Sequence, residues 1–136
     1  MMKNISARFS QLFLRTALSV TMLSAVADRL GLWAKAYSSW GDMDTFIIYT
    51  RKLTFFLPEV LSTLAAYIAT GLELLLPLML MLGYKVRIAA YGSSLLLALF
   101  AISMTIALGP KAPLDYSVWI GSAAAFLLAT QHEYSK

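Results

Sequence analysis

Residues 60–82 read VLSTLAAYIATGLELLLPLMLML. Glu73 is the only charged residue among them. At 1.5 Å per residue a helix over this stretch is about 35 Å long, enough to cross a hydrocarbon core of roughly 30 Å. It is apolar all round, whereas a helix on the surface of a soluble domain keeps a polar face. The stretch therefore predicts a transmembrane helix. Pro58 and Glu59 open it, where a proline lacks only an N–H that has no helical partner and a carboxylate meets the positive end of the helix dipole.

Working outward, Gly83-Tyr84-Lys85-Val86-Arg87 forms a tight basic turn, and a second apolar run, about 86–108, carries only Arg87 at its edge. Gly109-Pro110-Lys111-Ala112-Pro113 stops that helix, and a shorter apolar run follows over about 114–130. Towards the N terminus, about 12–33 is apolar but interrupted by Arg15, Asp28 and Arg29. Between the first and second runs, 34–59 is too polar to span. Its Phe46, Tyr49, Leu53, Phe56 and Leu57 recur at helical spacing, with Thr50, Arg51, Lys52 and Thr54 between them, which predicts an amphipathic piece at the membrane surface or capping the bundle. The fold class is thus all-α: one membrane domain over 1–136, a polytopic four-helix bundle with an amphipathic segment between helices 1 and 2.

Composition agrees. The chain is 60% hydrophobic and 13% charged, with a mean hydropathy of +0.72, against about 25% charged in soluble domains. It has no cysteine, which excludes disulfides, thiol nucleophiles, iron–sulfur ligation and thiolate zinc sites. One histidine, His132, reads as an ordinary helix-end residue and cannot supply two axial ligands to a haem. There is no metal-ligand cluster, no Ser/His triad and no glycine-rich phosphate loop. The net charge of +4 comes without a basic cluster among exposed aromatics, so nucleic acid is not an expected partner. The expected surroundings are the lipid bilayer, protein subunits of a membrane complex and, through small residues such as Gly121 and Ala125, close helix packing that suits one bundle better than a homo-oligomer face.

Trp33, Tyr37, Tyr84, Tyr116, Trp119 and Tyr134 stand where water should begin. With the N terminus inside, Lys3, Arg8, Arg15, Lys85, Arg87 and Lys136 are cytoplasmic against Arg29, Lys35, Arg51, Lys52 and Lys111 outside. That small excess orients both termini towards the cytoplasm. A competing reading takes the first run as a signal peptide, with Ala25-Val26-Ala27 as its cleavage pattern; the short apolar core after Arg15 speaks against it.

The polar residues inside the spans are the functional candidates: Glu73, Arg15, Asp28 and Arg29. A carboxylate at mid-helix costs about 2.5–3.5 kcal/mol on insertion scales, so Glu73 must face the bundle interior and find a partner, or be protonated. Pro77, one turn on, cannot donate to the carbonyl of Glu73, so one turn carries an ionisable side chain and a freed carbonyl. Helical rise places Arg15 within about 7–8 Å of the depth of Glu73 and Arg29 further off near the outer mouth, so Arg15 is the preferred partner, with Arg29 the alternative. Arg29 snorkelling to the interface and Asp28 turning inward is the plain reading of that pair. Tyr67 and Tyr91 are candidate hydrogen-bonding residues and, with Pro77, candidate pocket-lining ones, and Met22, Met79, Met81 and Met104 are candidates for a lipid or quinone pocket, or simple packing.

The run Ser24-Ala25-Val26-Ala27-Asp28-Arg29-Leu30-Gly31-Leu32-Trp33 resembles the end of the first helix of DoxX-like membrane proteins, and Ala69-Thr70-Gly71-Leu72-Glu73-Leu74-Leu75-Leu76-Pro77 resembles their second helix, followed by the basic turn and by Ala89 and Ala90. The likeness runs from about residue 15 to 130. It implies a four-helix bacterial inner-membrane protein. The family takes its name from a subunit of a thiosulfate:quinone oxidoreductase, and some relatives are linked to quinone or oxidative-stress responses. On that pattern Glu73 and Arg15 are the residues carried over. Four functions remain open at this point. One is a non-catalytic subunit or scaffold of a membrane redox or stress-response complex, not an enzyme on its own. Another is a quinone- or lipid-binding oxidoreductase component, quinone being the one cofactor suggested. The third is a small proton-coupled transporter. The last is a purely structural Glu–Arg pair.

Overall fold

The structure, a computed structural model, describes residues 2–134, and the side chains of 5–131. The readings of Lys3, His132, Tyr134 and Lys136 side chains lie outside these. The described chain is all helix and bend, with no strand: α1 Met2–Arg29, α2 Met43–Leu53, α3 Glu59–Leu82, α4 Val86–Leu108, α5 Lys111–Asp115 and α6 Val118–Tyr134. Three segments are long and apolar enough to cross a membrane, Ile5–Arg29, Glu59–Leu82 and Val86–Leu108; the apolar part of α6, Val118–Gln131, is shorter.

The middle helices fall where the sequence puts them, and the first and last do not. α1 ends at Arg29 rather than at residue 33 because Gly31 takes a left-handed φ of 75°. The Leu32 N–H then returns to the Ala27 carbonyl at 2.9 Å, satisfying the helix end and turning Leu32 and Trp33 out of it. Trp33 folds back instead, donating its indole N–H to Ser24. The run expected over 114–130 is broken in two. Ser117, at φ 58°, separates the short α5 from α6, which continues past 130. The amphipathic segment is helical only over α2. Asp42 caps it by accepting from the Thr45 N–H at 2.7 Å. Leu57 precedes Pro58, which disfavours helical backbone there, so Phe56 and Leu57 lie beyond the helix. α2 does not merely rest on the surface: Phe46, Ile47 and Leu53 are buried, with Phe46 and Ile47 packed against Ala66 of α3.

The Thr45 amide holds the Asp42 carboxyl below the usual carboxylate range. A depressed folded-state pKa contributes stability that is complete above the unfolded value and is lost as pH falls through the folded one. Acidification below the carboxylate range should therefore fray the start of α2 first, seen as faster amide exchange at Thr45 in α2 than in α3.

α1 and α3 pack antiparallel, and α4 pairs with α6. Small residues let the second pair close up. Ser94 and Ser122 exchange hydroxyl-to-carbonyl bonds of 2.9 and 2.8 Å, and a Cβ on Gly121 would stand 3.3 Å from Leu97. The half of the bundle near the 83–85 turn is a continuous apolar core of Leu18, Met22, Leu76, Leu80, Ala125 and Leu128.

α3 ends at Gly83, φ 73°, whose N–H and that of Tyr84 both return to the Met79 carbonyl. Arg15 of α1 donates its Nε to the Leu80 carbonyl at 2.8 Å, so a cation covers the negative end of the α3 dipole. A Cβ on Gly83 would lie 3.2 Å from the Arg15 guanidinium. Gly83→Ala is expected to lower stability by about 1–2 kcal/mol, from the left-handed backbone alone; thermal unfolding in detergent measures it.

Candidate functional site

The contacts between α1 and α3 set the partner of Glu73. Ser19 donates to the Pro77 carbonyl at 3.2 Å, Arg15 reaches Leu80, and Arg29 lies opposite Thr70 and Glu73. Arg29 Nη1 is 2.7 Å from Glu73 Oε2 and donates to Thr70 Oγ1 at 2.9 Å. The expected Arg15–Glu73 pairing is therefore corrected to Arg29–Glu73. Helical rise alone misses the lean of side chains towards their own helix N terminus. In an antiparallel pair Arg29 leans down α1 while Glu73 leans up α3, so they converge. Arg15 leans in the same direction as Arg29, which carries it away from Glu73 and towards the end of α3.

Arg29 does not snorkel. It is 2% exposed and Glu73 is 5% exposed. One hydrogen of Nη1 goes to Thr70, and the contact with Glu73 is an ion pair at close range rather than a well-directed hydrogen bond. Glu73 Oε2 and Arg29 Nε have no hydrogen-bond partner among the described residues. The guanidinium lies 3.5 Å from the centroid of the Phe46 ring and 5.0 Å from that of Trp40, so aromatic faces supply part of what water would. Thr70 itself donates to the Ala66 carbonyl, which fixes its oxygen as an acceptor for Arg29.

Asp28 does turn away from the lipid, but towards the loop before α2. Its Oδ2 accepts from the N–H groups of Ser39 at 2.8 Å and Trp40 at 3.3 Å, and its Oδ1 from that of Gly41 at 3.1 Å. Three backbone donors of a non-helical segment are thereby satisfied, and Trp40 is held over Arg29.

A cavity of about 550 Å³ opens on this pair. Arg29 and Glu73 lie on its wall with Ala25, Trp40, Phe100 and Met104, while Lys52, Tyr49, Tyr116 and Thr45 add polar groups. Burial pushes the Tyr49 phenol above its ordinary value, with Tyr116 adding to the shift, so it stays protonated and able to donate across the physiological range. The arrangement joins a buried charge pair, aromatic walls and a few polar groups, which is the chemistry of a site for a small amphipathic molecule.

Of the sequence candidates, the structure brings Arg29 and Glu73 together in this cavity and places Asp28 behind it. Arg15 sits at the end of α3. Pro77 is buried against α1 through its carbonyl. Tyr67 and Tyr91 do not line the cavity: they are 54% and 40% exposed, and Tyr91 stacks edge-on with Phe126. Of the methionines, Met104 lines it, Met22 belongs to the apolar core, Met79 packs beside that core and Met81 is exposed. Sequence reading missed Trp40, Tyr49, Lys52 and Tyr116 as members of the site. The helical spacing of Tyr49 and Lys52 on α2 was the available signal, and it needed only the knowledge that α2 roofs the bundle.

No curated protein and no solved structure matches the chain. The DoxX family model matches residues 10–108, a stretch that runs from α1 to the end of α4 and includes both Arg29 and Glu73. With three membrane-capable helices and that match over most of its length, the chain is a multi-pass membrane protein and belongs to the DoxX family.

Proposed function

We propose that the chain is a four-span inner-membrane protein that holds a small amphipathic molecule against Arg29 and Glu73, and that it serves in this way as a non-catalytic subunit of a membrane-associated redox or stress-response complex. The observation that carries the reading is the cavity itself: about 550 Å³, walled by Trp40, Tyr49 and Phe100, with a buried ion pair exposed to whatever enters. The apolar core from Leu18 to Leu128 fills the other half of the bundle, which favours retention of a ligand over its passage and so speaks against a transporter.

α6 supplies the fourth span. Its 17 residues reach about 26 Å, a little short of the hydrocarbon thickness, a mismatch that bilayers accommodate at modest cost. With both termini cytoplasmic, α2 and the cavity lie on the outer side. The aromatic walls suit a planar ring, which keeps a quinone among the ligands to be tested, with Glu73 as the group that would exchange a proton with it.

Native mass spectrometry of the gently extracted protein, with Glu73→Gln in parallel, tests this reading. The expected result is a retained small molecule in the wild type, reduced in the variant, together with co-purifying soluble oxidoreductase. A protein that emerges clean of both overturns it.

A further inference from the structure

α2 stands over two spaces at once. Thr45, Ile48, Tyr49 and Lys52 line the cavity described above, while Phe46, Thr50 and Leu53 line a second cavity of about 300 Å³. Positions 45, 48, 49 and 52 share one helical stripe and 46, 50 and 53 the next, so the helix roofs both. The second space runs between α3 and α4 past Ile68, Ala69, Leu72 and Leu99, and no charged residue lines it. Phe100 lines both cavities, and Phe46, a wall of the second, lies against the Arg29 guanidinium in the first. Two phenyl rings, Phe46 and Phe100, thus stand between the spaces.

Among the residues that line the first cavity, cations outnumber carboxylates. Arg29 and Lys52 line it against the single carboxylate of Glu73. Arg29 Nε is buried and without a hydrogen-bond partner among the described residues. The charge of Asp28 acts on Arg29 together with that of Glu73, so Arg29 is balanced and Lys52 is the cation on the wall with no ion pair among the described residues. Both oxygens of Asp28 accept from the 39–41 loop, and Asp115 pairs with Lys111 at 2.7 Å. Lys52 is exposed on α2, with the hydroxyl-bearing Tyr49, Tyr116 and Thr45 on the same cavity wall.

The geometry points to a single-chain anionic amphiphile as the occupant, its carboxylate or phosphate head beside Lys52 in the first cavity and its hydrocarbon chain passing Phe100 into the second. This rests on the proposed retention of an amphiphile and narrows it to charge and shape. A quinone head is neutral and would leave the Lys52 charge unused. The bilayer is as apolar as the second cavity, so the chain gains little from burial alone, and the head group decides the selection.

The test uses the full chain in phosphatidylcholine nanodiscs, photolysed with a palmitate bearing a diazirine near its chain end, with labelled peptides read by mass spectrometry. Label is expected in 65–72 and 96–103. Excess oleate should displace it, and monoolein, with the same chain and an uncharged head, should not. Lysophosphatidic acid in a parallel arm separates a phosphate head from a carboxylate, either of which supports the assignment. Lys52→Ala, an exposed change whose folding is checked by thermal unfolding, should weaken labelling roughly fivefold. Equal displacement by monoolein, no displacement by oleate, or labelling unchanged in Lys52→Ala overturns the charge selection while leaving amphiphile retention standing. Label confined to exposed positions such as Val20 and Phe126 overturns the chain compartment. A wild type that retains no small molecule on extraction sinks both this inference and the reading beneath it.

Discussion

Arg29→Met alone is expected to destabilise the protein by about 3–5 kcal/mol, because it leaves the Glu73 carboxylate buried among apolar groups without its cation. Glu73→Leu alone should cost a similar amount by stranding the guanidinium. The double variant, Arg29→Met with Glu73→Leu, should recover most of the loss, since a buried ion pair and well-packed apolar side chains of similar volume are often close in free energy. Arg15→Met should cost only about 1 kcal/mol, for one hydrogen bond to the Leu80 carbonyl and a charge at a helix end. Unfolding in a graded detergent series measures all four. A large loss at Arg15, coupled to Glu73 in a double-mutant cycle, would reverse the pairing derived from the helix register.

The second large effect falls on Asp28. Its two oxygens hold three amides of the loop before α2. Asp28→Ala removes the acceptor from all three, and each donor left unpaired out of water costs about 1–3 kcal/mol. The loop lies at the end of α1, where water can replace part of what is lost, so the net cost should be about 2–4 kcal/mol. Asp28→Asn keeps one acceptor oxygen and should fall between. The change is local, and hydrogen exchange reads it directly: Ser39, Trp40 and Gly41 amides should exchange faster while those of α4 do not. Because Trp40 stands over Arg29 and lines the cavity, the same variant should also loosen ligand retention.

The two central helices were legible almost to the residue, because unbroken apolar composition marks the span and Pro58, Gly83 and Gly109 mark its limits. The end of α1 was not, since Leu30, Leu32 and Trp33 are apolar enough to continue a helix that Gly31 in fact turns. The break at Ser117 left no mark at all: a left-handed serine looks like any other serine. Glu73 could be singled out as a group needing an answer. Its partner could not, because two arginines flank the right depth and only the lean of side chains in an antiparallel pair distinguishes them. Asp28 read as one of two adjacent charges. Its work as the clamp of the 39–41 loop depends on chain folding back from eleven residues on and further, which helical periodicity does not reach. The same holds for Lys52 and Tyr116, which meet Glu73 across a cavity and not along a helix.

If the space beside the Arg29–Glu73 pair holds a small molecule, filling that space should expel it. Ala25 lies one turn before Arg29 and lines the cavity, half-buried. Ala25→Phe should put a ring into the cavity and leave the fold intact, as thermal unfolding will report. Native mass spectrometry should then show the small molecule bound to the wild type and absent from Ala25→Phe at unchanged or higher stability. The same mass retained in both proteins, or none in either, would mean that the space beside the pair is not where a ligand sits.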